Sequence, residues 1–218
     1  RGSWYPSQRQ QTIPSFKSTL SLPSDSASLT FQYSGHKLVT ASYHDQWLFE
    51  GLSRYVALMS SEAADSGAQL RKVLSEARED VKVFDSAGPI SIGQRLAATI
   101  SSNAYRAVYG KGLWVIHMLR MMLRQDGPSP DAKFMALLKE LAEMYDGRAV
   151  STWDFMRLAE KHAEKELDWF FDQWVFATGI PTYSADYKIE PAENGFTIEG
   201  TISQTGVPDG FAMPLPVY

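Results

Sequence analysis

Histidines are the side chains of this sequence that most readily bind a metal ion or transfer a proton near neutral pH. The 218 residues include four histidines and no cysteine, which excludes disulfide scaffolds, cysteine-ligated zinc and thiol catalysis together. Seven residues separate His36 from His44 across a predicted loop, and this spacing matches no recognised pair of metal ligands. The four histidines, His36, His44, His117 and His162, therefore do not by themselves predict a metal site.

Motifs of several other functional classes are missing. The sequence contains no G-x-S-x-G nucleophile elbow, no Walker A motif and no G-x-G-x-x-G. Its 21 Lys and Arg against 25 Asp and Glu give a formal net charge of −4, which argues against a nucleic-acid binder that depends on a basic surface. The most apolar stretch, residues 113–123, is interrupted by His117 and Arg120 and is too short to cross a bilayer. We therefore expect neither a nucleic-acid partner nor a membrane span.

Three regions with different residue patterns must position the reactive side chains. Residues 1–40 are rich in Ser, Gln and Pro and carry two short alternating runs, which indicates a degenerate or truncated strand and loop region. Residues 41–181 have helical periodicity almost throughout, whereas residues 182–218 alternate with period two. The sequence does not begin with Met, so we expect a piece of a longer or processed chain; nothing in it indicates a compartment.

Start and stop signals divide the helical region into successive helices. The stretch from about Ala104 to Gln125 predicts the central helix of a bundle, because its polar residues form only a narrow stripe. Ser151 and Asp154 have the spacing of a capping box at a helix start. The predicted helices run from Asp45 to about Ser60, Ala68 to Phe84, Ala104 to Gln125, Asp131 to about Tyr145, Ser151 onwards, and Asp168 to Ala177.

Three strands are predicted after the last helix, over 183–189, 196–202 and 211–218, with Pro- and Gly-containing turns between them. A β-sandwich needs about seven strands, so the predicted strands would leave unpaired edges exposed. Because another chain could cover those edges, a homodimer through the C-terminal strands is a hypothesis.

Three short segments form an ordered set. Trp47–Leu52 reads W-L-F-E-G-L, Tyr109–Gly112 reads Y-G-K-G, and Trp174 is followed by G-I-P at 179–181. In this order they resemble W-L-x-E-G-[FL], Y-x-K-G and W…G-x-P of the M1-family zinc aminopeptidases, which are gluzincins. The resemblance covers roughly residues 35–218. It implies a mainly α fold, the helical C-terminal part of a thermolysin-like catalytic domain at 41–181, followed at 182–218 by the start of a β-sandwich-like domain.

The resemblance implies roles for two side chains. Glu50 matches the family's third zinc ligand, and Tyr109 matches its catalytic tyrosine, whose phenol would donate a hydrogen bond to the oxyanion of a tetrahedral intermediate. Each residue also has a structural interpretation: Glu50 near a helix N-terminus is stabilised by the helix dipole, and Tyr109 as a core tyrosine needs only a polar partner for its hydroxyl. Lys111 and Gly112 fit helix packing better than chemistry.

The family's H-E-x-x-H motif is absent. The family places it upstream, with eighteen residues between its second His and the ligand Glu. Counting back from Glu50 gives Ala27, Ser28 and Phe31 at the positions of the first His, the general base and the second His. None of these three side chains can perform the role of the residue that it replaces.

The frame around the missing motif is nevertheless preserved. The family commonly continues H-Q-W-W-G-H, and Gln32, Gly35 and His36 match this continuation. Either the ligands were replaced in a degenerate paralogue, or other sequence has been joined upstream of about Gly35. The family's G-x-M-E-N strand, which recognises the amino end of the substrate, is not found.

Two functions remain open. The first is an M1-like zinc metallopeptidase domain or fragment, which in the parent family hydrolyses peptide bonds at the N-terminus and which we expect to be inactive as given. The second is a non-catalytic pseudo-peptidase module that binds a peptide or a partner protein. Zinc is the cofactor of the parent family, and we expect this chain to bind none, because one carboxylate, Glu50, does not hold zinc alone.

Overall fold

The computed structural model describes residues 39–98, 101–192 and 195–214. The predicted N-terminal strands and the counterpart of the H-E-x-x-H motif lie outside the described residues. Short 3₁₀ helices precede and follow the longer elements, at Tyr43–Asp45, Asp85–Ala87, Ile90–Ala98 and Ser102–Tyr105. The main elements are β1 Val39–Thr40, α1 Gln46–Asp65, α2 Ala68–Phe84, α3 Arg106–Leu123, α4 Ala132–Met144, β2 Ala149–Val150, α5 Thr152–Ala163, α6 Asp168–Trp174, β3 Thr182–Ala192 and β4 Gly195–Thr205. The chain is therefore mainly helical, as its sequence predicts.

Helix α3 is the central helix. Most of its apolar side chains are buried, and α1 and α2 pack along it. Burial of a large apolar side chain stabilises the fold by roughly 1.5–3 kcal/mol, so this helix contributes much of the hydrophobic stabilisation. The residues of α3 that are at most 2% exposed include Ala107, Val108, Leu113, Val115, Ile116, Leu119 and Leu123. No helix among the described residues is long and apolar enough to cross a membrane.

A buried carboxylate joins the start of α1 to the start of α5. Asp45 precedes α1 but caps α5 instead, because its Oδ1 accepts hydrogen bonds from the backbone N–H of Thr152 at 2.7 Å and from the Thr152 hydroxyl at 2.8 Å. The Thr152 hydroxyl in turn accepts from the indole of Trp47 at 3.0 Å. The capping box predicted at Ser151 and Asp154 is observed. These contacts fix the direction in which α1 leaves the loop.

Two helix ends differ from the predicted ones by three residues or more. Helix α1 continues past Ser60 to Asp65, because Ser60 and Ser61 donate their hydroxyls to carbonyls three residues earlier and so do not break the helix. Helix α6 ends at Trp174 rather than Ala177. The Val175 carbonyl accepts a hydrogen bond from the backbone N–H of Ser91, and the Ala177 carbonyl accepts one from the Lys111 ammonium. These tertiary contacts replace the last helical turn.

The C-terminal strands form an antiparallel hairpin, β3–β4, in which Tyr187 pairs with Gly200 and Ile189 with Ile198. The predicted third strand is not a strand over residues 211–214; Ala212 instead exchanges two hydrogen bonds with Gln173 of α6. The alternation places apolar side chains on one face of the hairpin, where they are exposed. The homodimer through these strands stays a prediction. The exposed side chains on this face include Tyr187, Ile189, Phe196, Ile198 and Ile202, all more than half exposed.

Candidate functional site

Two glycines bring the segments that carry Glu50 and Tyr109 together. Helices α1 and α3 cross where Gly51 faces Gly112: a Cβ at Gly51 would lie 2.7 Å from the Gly112 carbonyl oxygen. A Cβ at Gly112 would lie 2.8 Å from the carbonyl oxygen of Trp47. Only glycine permits two helix backbones to approach so closely. The glycines of the two resembling segments therefore form a packing contact, and Glu50 and Tyr109 become neighbours as a consequence.

Hydrogen-bond donors act in series on the Glu50 carboxylate. Hydrogen bonding from the Tyr109 hydroxyl opposes the rise in the pKa of Glu50, and hydrogen bonding from the Tyr105 hydroxyl opposes the rise in the pKa of Tyr109. The side chain of Gln94 acts in the same way on the pKa of Tyr105. The two tyrosine rings pack edge to face with their centroids 4.7 Å apart. Sequence reasoning missed Tyr105 and Gln94; only the position of Tyr105 one helical turn before Tyr109 could have indicated the first of them.

The electrostatic interactions between Glu50 and the two tyrosines keep the protons on the tyrosine hydroxyls. Burial raises the pKa of the Glu50 carboxyl, while the hydrogen bond from Tyr109 and the positive charge of Arg54 oppose that rise. Burial, and after it the negative charge of Glu50, raises the pKa of Tyr109. The Tyr109 hydroxyl is therefore a hydrogen-bond donor at neutral pH, and Glu50 is its acceptor.

A polar crevice of about 350 Å³ lies beside Tyr109, between α1, α2 and α3. Arg54 and Glu76 line it, together with an ion pair in which Arg106 lies 2.7 Å from Asp80. Because charged residues of both signs line the crevice, it is open to polar groups of either charge.

Lys111 has a structural role. Its ammonium lies 2.6 Å from Asp85 and donates to the Ala177 carbonyl at 3.2 Å, and its side chain is 1% exposed. Asp85 also accepts the backbone N–H of Gly179 at 2.5 Å, which ties the end of α2 to the G-I-P segment. Burial lowers the pKa of Lys111, and the adjacent Asp85 opposes this. Nothing in the sequence pattern indicates Asp85, because its partner lies 26 residues away.

The three described histidines all hydrogen-bond to protein groups and do not gather near Glu50. His44 Nδ1 lies 2.8 Å from the Ser91 carbonyl oxygen, His117 Nδ1 lies 2.8 Å from the Tyr55 hydroxyl, and His162 Nε2 lies 2.9 Å from Glu140. His36 lies outside the described residues.

The described side chains around Glu50 do not by themselves make up a zinc site. Zinc sites need three or four nitrogen, sulfur or carboxylate ligands, whereas the described groups that act on Glu50 are the Tyr109 phenol and the Arg54 guanidinium. Within residues 39–98, 101–192 and 195–214 there is no group of three or more His, Cys, Asp or Glu that could hold a metal ion. The described donors around Glu50 thus amount to one carboxylate that is already hydrogen-bonded to a phenol.

Comparison of the fold with solved structures gives the class of protein. The chain is similar to an M1 zinc metallopeptidase from Deinococcus radiodurans, determined as a mutant bound to a Tyr-Ser-Ala substrate, with a TM-score of 0.54 and 21% identity. The match covers 72% of this chain and 34% of that chain. The fold is thus that of the helical subdomain of an M1 catalytic domain.

Sequence comparison gives the family. The sequence model of the peptidase family M1 domain matches residues 28–174, which is more than half of the chain, so the chain belongs to the M1 peptidase family. It is also 26% identical over 159 residues to transcription initiation factor TFIID subunit 2 of Schizosaccharomyces pombe. That match covers 71% of this chain but only 14% of the relative, so the chain spans a small part of the length of this relative.

Proposed function

We propose that this chain is an M1-family module that does not hydrolyse peptides and that acts by binding a partner protein. The observation that carries the proposal is the state of Glu50, the one zinc-ligand candidate. Hydrogen bonding from Tyr109 and the positive charge of Arg54 both act on its carboxyl and oppose the rise of its pKa. The side chain that the resemblance assigns to zinc binding and the one that it assigns to catalysis therefore act on each other.

The sequence register supports the absence of peptidase activity. A zincin site needs three protein ligands and an open position for water, with a general base beside it. Ala27, Ser28 and Phe31 stand where the family's two histidines and its glutamate are expected. Neither an alanine nor a phenylalanine side chain carries an atom that can bind zinc, so no hydrolytic step follows from this donor set.

The name of the sequence relative supports a binding role. It is a subunit of a transcription initiation factor, and it matches this chain over most of the helical region. A domain that keeps the M1 fold without the zinc-binding side chains still provides a rigid helical scaffold with exposed grooves. We therefore favour a partner protein over a peptide substrate as the ligand.

The test is a zinc and turnover measurement on the whole chain. We expect no stoichiometric zinc by elemental analysis at neutral pH. A chromogenic aminoacyl substrate should be cleaved only at the background rate, with or without added zinc. The matched control is Glu50→Gln, which removes the carboxylate charge and keeps the shape, and it should give the same background rate. One tightly held zinc per chain, with turnover that is lost in Glu50→Gln, would contradict the proposal and identify a peptidase.

A further inference from the structure

An apolar groove lies on the side of α3 away from the Glu50 site. Its volume is about 720 Å³, and its lining combines residues of α2, α3 and α6 with the start of β3. Methionines dominate the α3 wall, and Met121 is 37% exposed. Methionine side chains are flexible and polarizable, so they adapt to an apolar partner surface. The main apolar side chains of the groove are Trp114, Met118, Met121 and Met122, faced by Trp174 and Met213.

Positive charges mark the two ends of the groove. Helix α2 runs antiparallel to α3, since Asp80 pairs with Arg106 and the Trp114 indole donates to the Leu74 carbonyl. Arg78 therefore lies level with the N-terminal part of α3, near Lys111, and Arg124 follows the C-terminal end of the helix. At a rise of 1.5 Å per residue, the part of α3 from Lys111 to Leu123 is about 18 Å long, and Arg124 follows directly after it.

No carboxylate opposes these charges inside the groove. None of the described residues that line it is acidic. The Lys111 ammonium is already paired with Asp85, whereas Arg78 has no ion pair among the described residues and Arg124 reaches Asp131 only at 3.7 Å. The Arg124 side chain is 48% exposed, so it remains free to meet another carboxylate.

The groove wall also contains unsatisfied polar atoms. Trp174 Nε1 and the Tyr183 hydroxyl are buried, and neither has a hydrogen-bond partner among the described residues. Both side chains line the groove. A buried polar group without a partner destabilises the chain, so an occupant that offers a hydrogen-bonding group to either atom would recover stabilisation that the free chain lacks.

We propose that this groove binds an amphipathic helix of a partner protein, with acidic residues near both ends of the apolar face of that helix. The inference rests on the proposed function, because it names the class of partner. A helix of about 13 residues matches the length of the α3 wall from Lys111 to the C-terminal end of the helix, and its apolar side chains occupy the methionine-lined wall. Its carboxylates then meet Arg78 and Arg124.

The test uses two fluorescent peptide probes and the whole chain. Both probes are designed helices of about 16 residues with the same leucine face; one carries glutamates near each end and the other carries lysines there. Fluorescence anisotropy should show that the wild-type chain binds the glutamate probe about tenfold more tightly, because its carboxylates meet the two arginines whereas the lysines of the other probe are repelled by them. Arg78→Glu with Arg124→Glu should reverse this preference.

The matched control is Lys72→Glu with Lys139→Glu. It changes the net charge by the same amount at exposed positions that do not line the groove, and it should keep the preference of the wild-type chain. Met118→Glu should weaken binding of both probes, because it places a charge on the apolar wall.

Equal affinity of the wild-type chain for both probes, or the same reversal in the lysine control, would overturn the inference. Self-association in sedimentation that the arginine double variant abolishes would also overturn it, since the occupant would then be a second copy of this chain. If the chain shows zinc-dependent turnover and still prefers the glutamate probe, the proposed function is contradicted but the assignment of the groove is not.

Discussion

Two tyrosine-centred polar clusters flank the central helix, and they differ in how completely their charges are neutralised. Toward the C-terminal end of α3, Arg120 donates to Asp131 at 2.6 and 2.9 Å, to Glu62 at 2.8 Å and to the Tyr55 hydroxyl at 3.2 Å. Toward the N-terminal end, Glu50 has a phenol as its hydrogen-bond donor and an arginine that acts on it only through its charge. The first cluster is saturated, whereas the second retains acceptor capacity.

The difference separates a structural network from a candidate site. In the saturated cluster every member has a partner: Tyr55 accepts from Arg120, and its hydroxyl lies 2.8 Å from His117 Nδ1. Such a network fixes the packing of α1 against α3 and leaves nothing for a ligand. The Glu50 cluster sits beside an open crevice with a carboxylate at the end of its hydrogen-bond chain, which is how binding sites differ from core networks.

The largest expected effect comes from removing Arg120. Arg120→Met leaves Glu62, Asp131 and Tyr55 without their common donor, so the free energy of unfolding should fall by about 3 kcal/mol in urea denaturation. Glu50→Gln should change it by less than about 1 kcal/mol, because a neutral amide still accepts from Tyr109.

The control for this pair is Arg124→Met. Arg124 is half-exposed and 3.7 Å from Asp131, so its loss should cost no more than about 0.5 kcal/mol. Equal destabilisation by Arg120→Met and Glu50→Gln would show that the two clusters do not differ as described.

A smaller effect is expected at the glycine contact that builds the Glu50 cluster. Gly51→Ala adds a Cβ that would lie 2.7 Å from the Gly112 carbonyl oxygen, so α1 and α3 must separate. We expect a loss of about 1–3 kcal/mol in unfolding free energy, measured by urea denaturation. Ala57→Ser, at an exposed position of the same helix, is the control and should stay within about 0.5 kcal/mol. A neutral Gly51→Ala would argue against close backbone packing as the origin of the site.

The smallest expected effect is a dependence of the free energy of unfolding on pH that is caused by His117. Burial, together with the positive charge of Arg120, lowers the pKa of His117 to about 4 from an ordinary value near 6.5. The unfolded chain binds a proton at a higher pH than the folded chain does, so this contribution to stability is complete above about pH 6.5 and falls as the pH is lowered toward 4. Because the ring is partly exposed, we expect a loss of about 1 kcal/mol between pH 7 and pH 5.

His117→Gln should remove this component, because glutamine does not titrate and still offers an acceptor to Tyr55. Urea denaturation of both proteins at pH 7 and pH 5 makes the comparison. If the wild-type chain and the variant lose the same stability over this interval, His117 does not carry the dependence.

Much of the helical framework follows from local sequence. Helix α2 has the predicted ends Ala68 and Phe84, and the capping box at Ser151 is present, because propensity, periodicity and capping act within a few residues. The ends of α1 and α6 differ because serine hydroxyls and distant backbone contacts alter the terminal turns. The parallel pairing of Val39–Thr40 with Ala149–Val150 was not predicted, since two-residue strands leave no periodic signal.

The sequence by itself determined the helical class, the central helix and the ordered family segments, because each depends on residue types at short or fixed spacing. Only the tertiary structure decided that Tyr109 donates to Glu50, that Tyr105 and Gln94 extend that chain, and that Asp85 neutralises Lys111. Glu50 and Tyr109 are 59 positions apart in the sequence, and Asp85 and Lys111 are 26 positions apart. The contacts of Tyr105 depend on the direction in which its side chain points. The close approach of Gly51 and Gly112 sets how α1 packs against α3, and this packing brings Glu50 and Tyr109 together. No local sequence pattern specifies that packing.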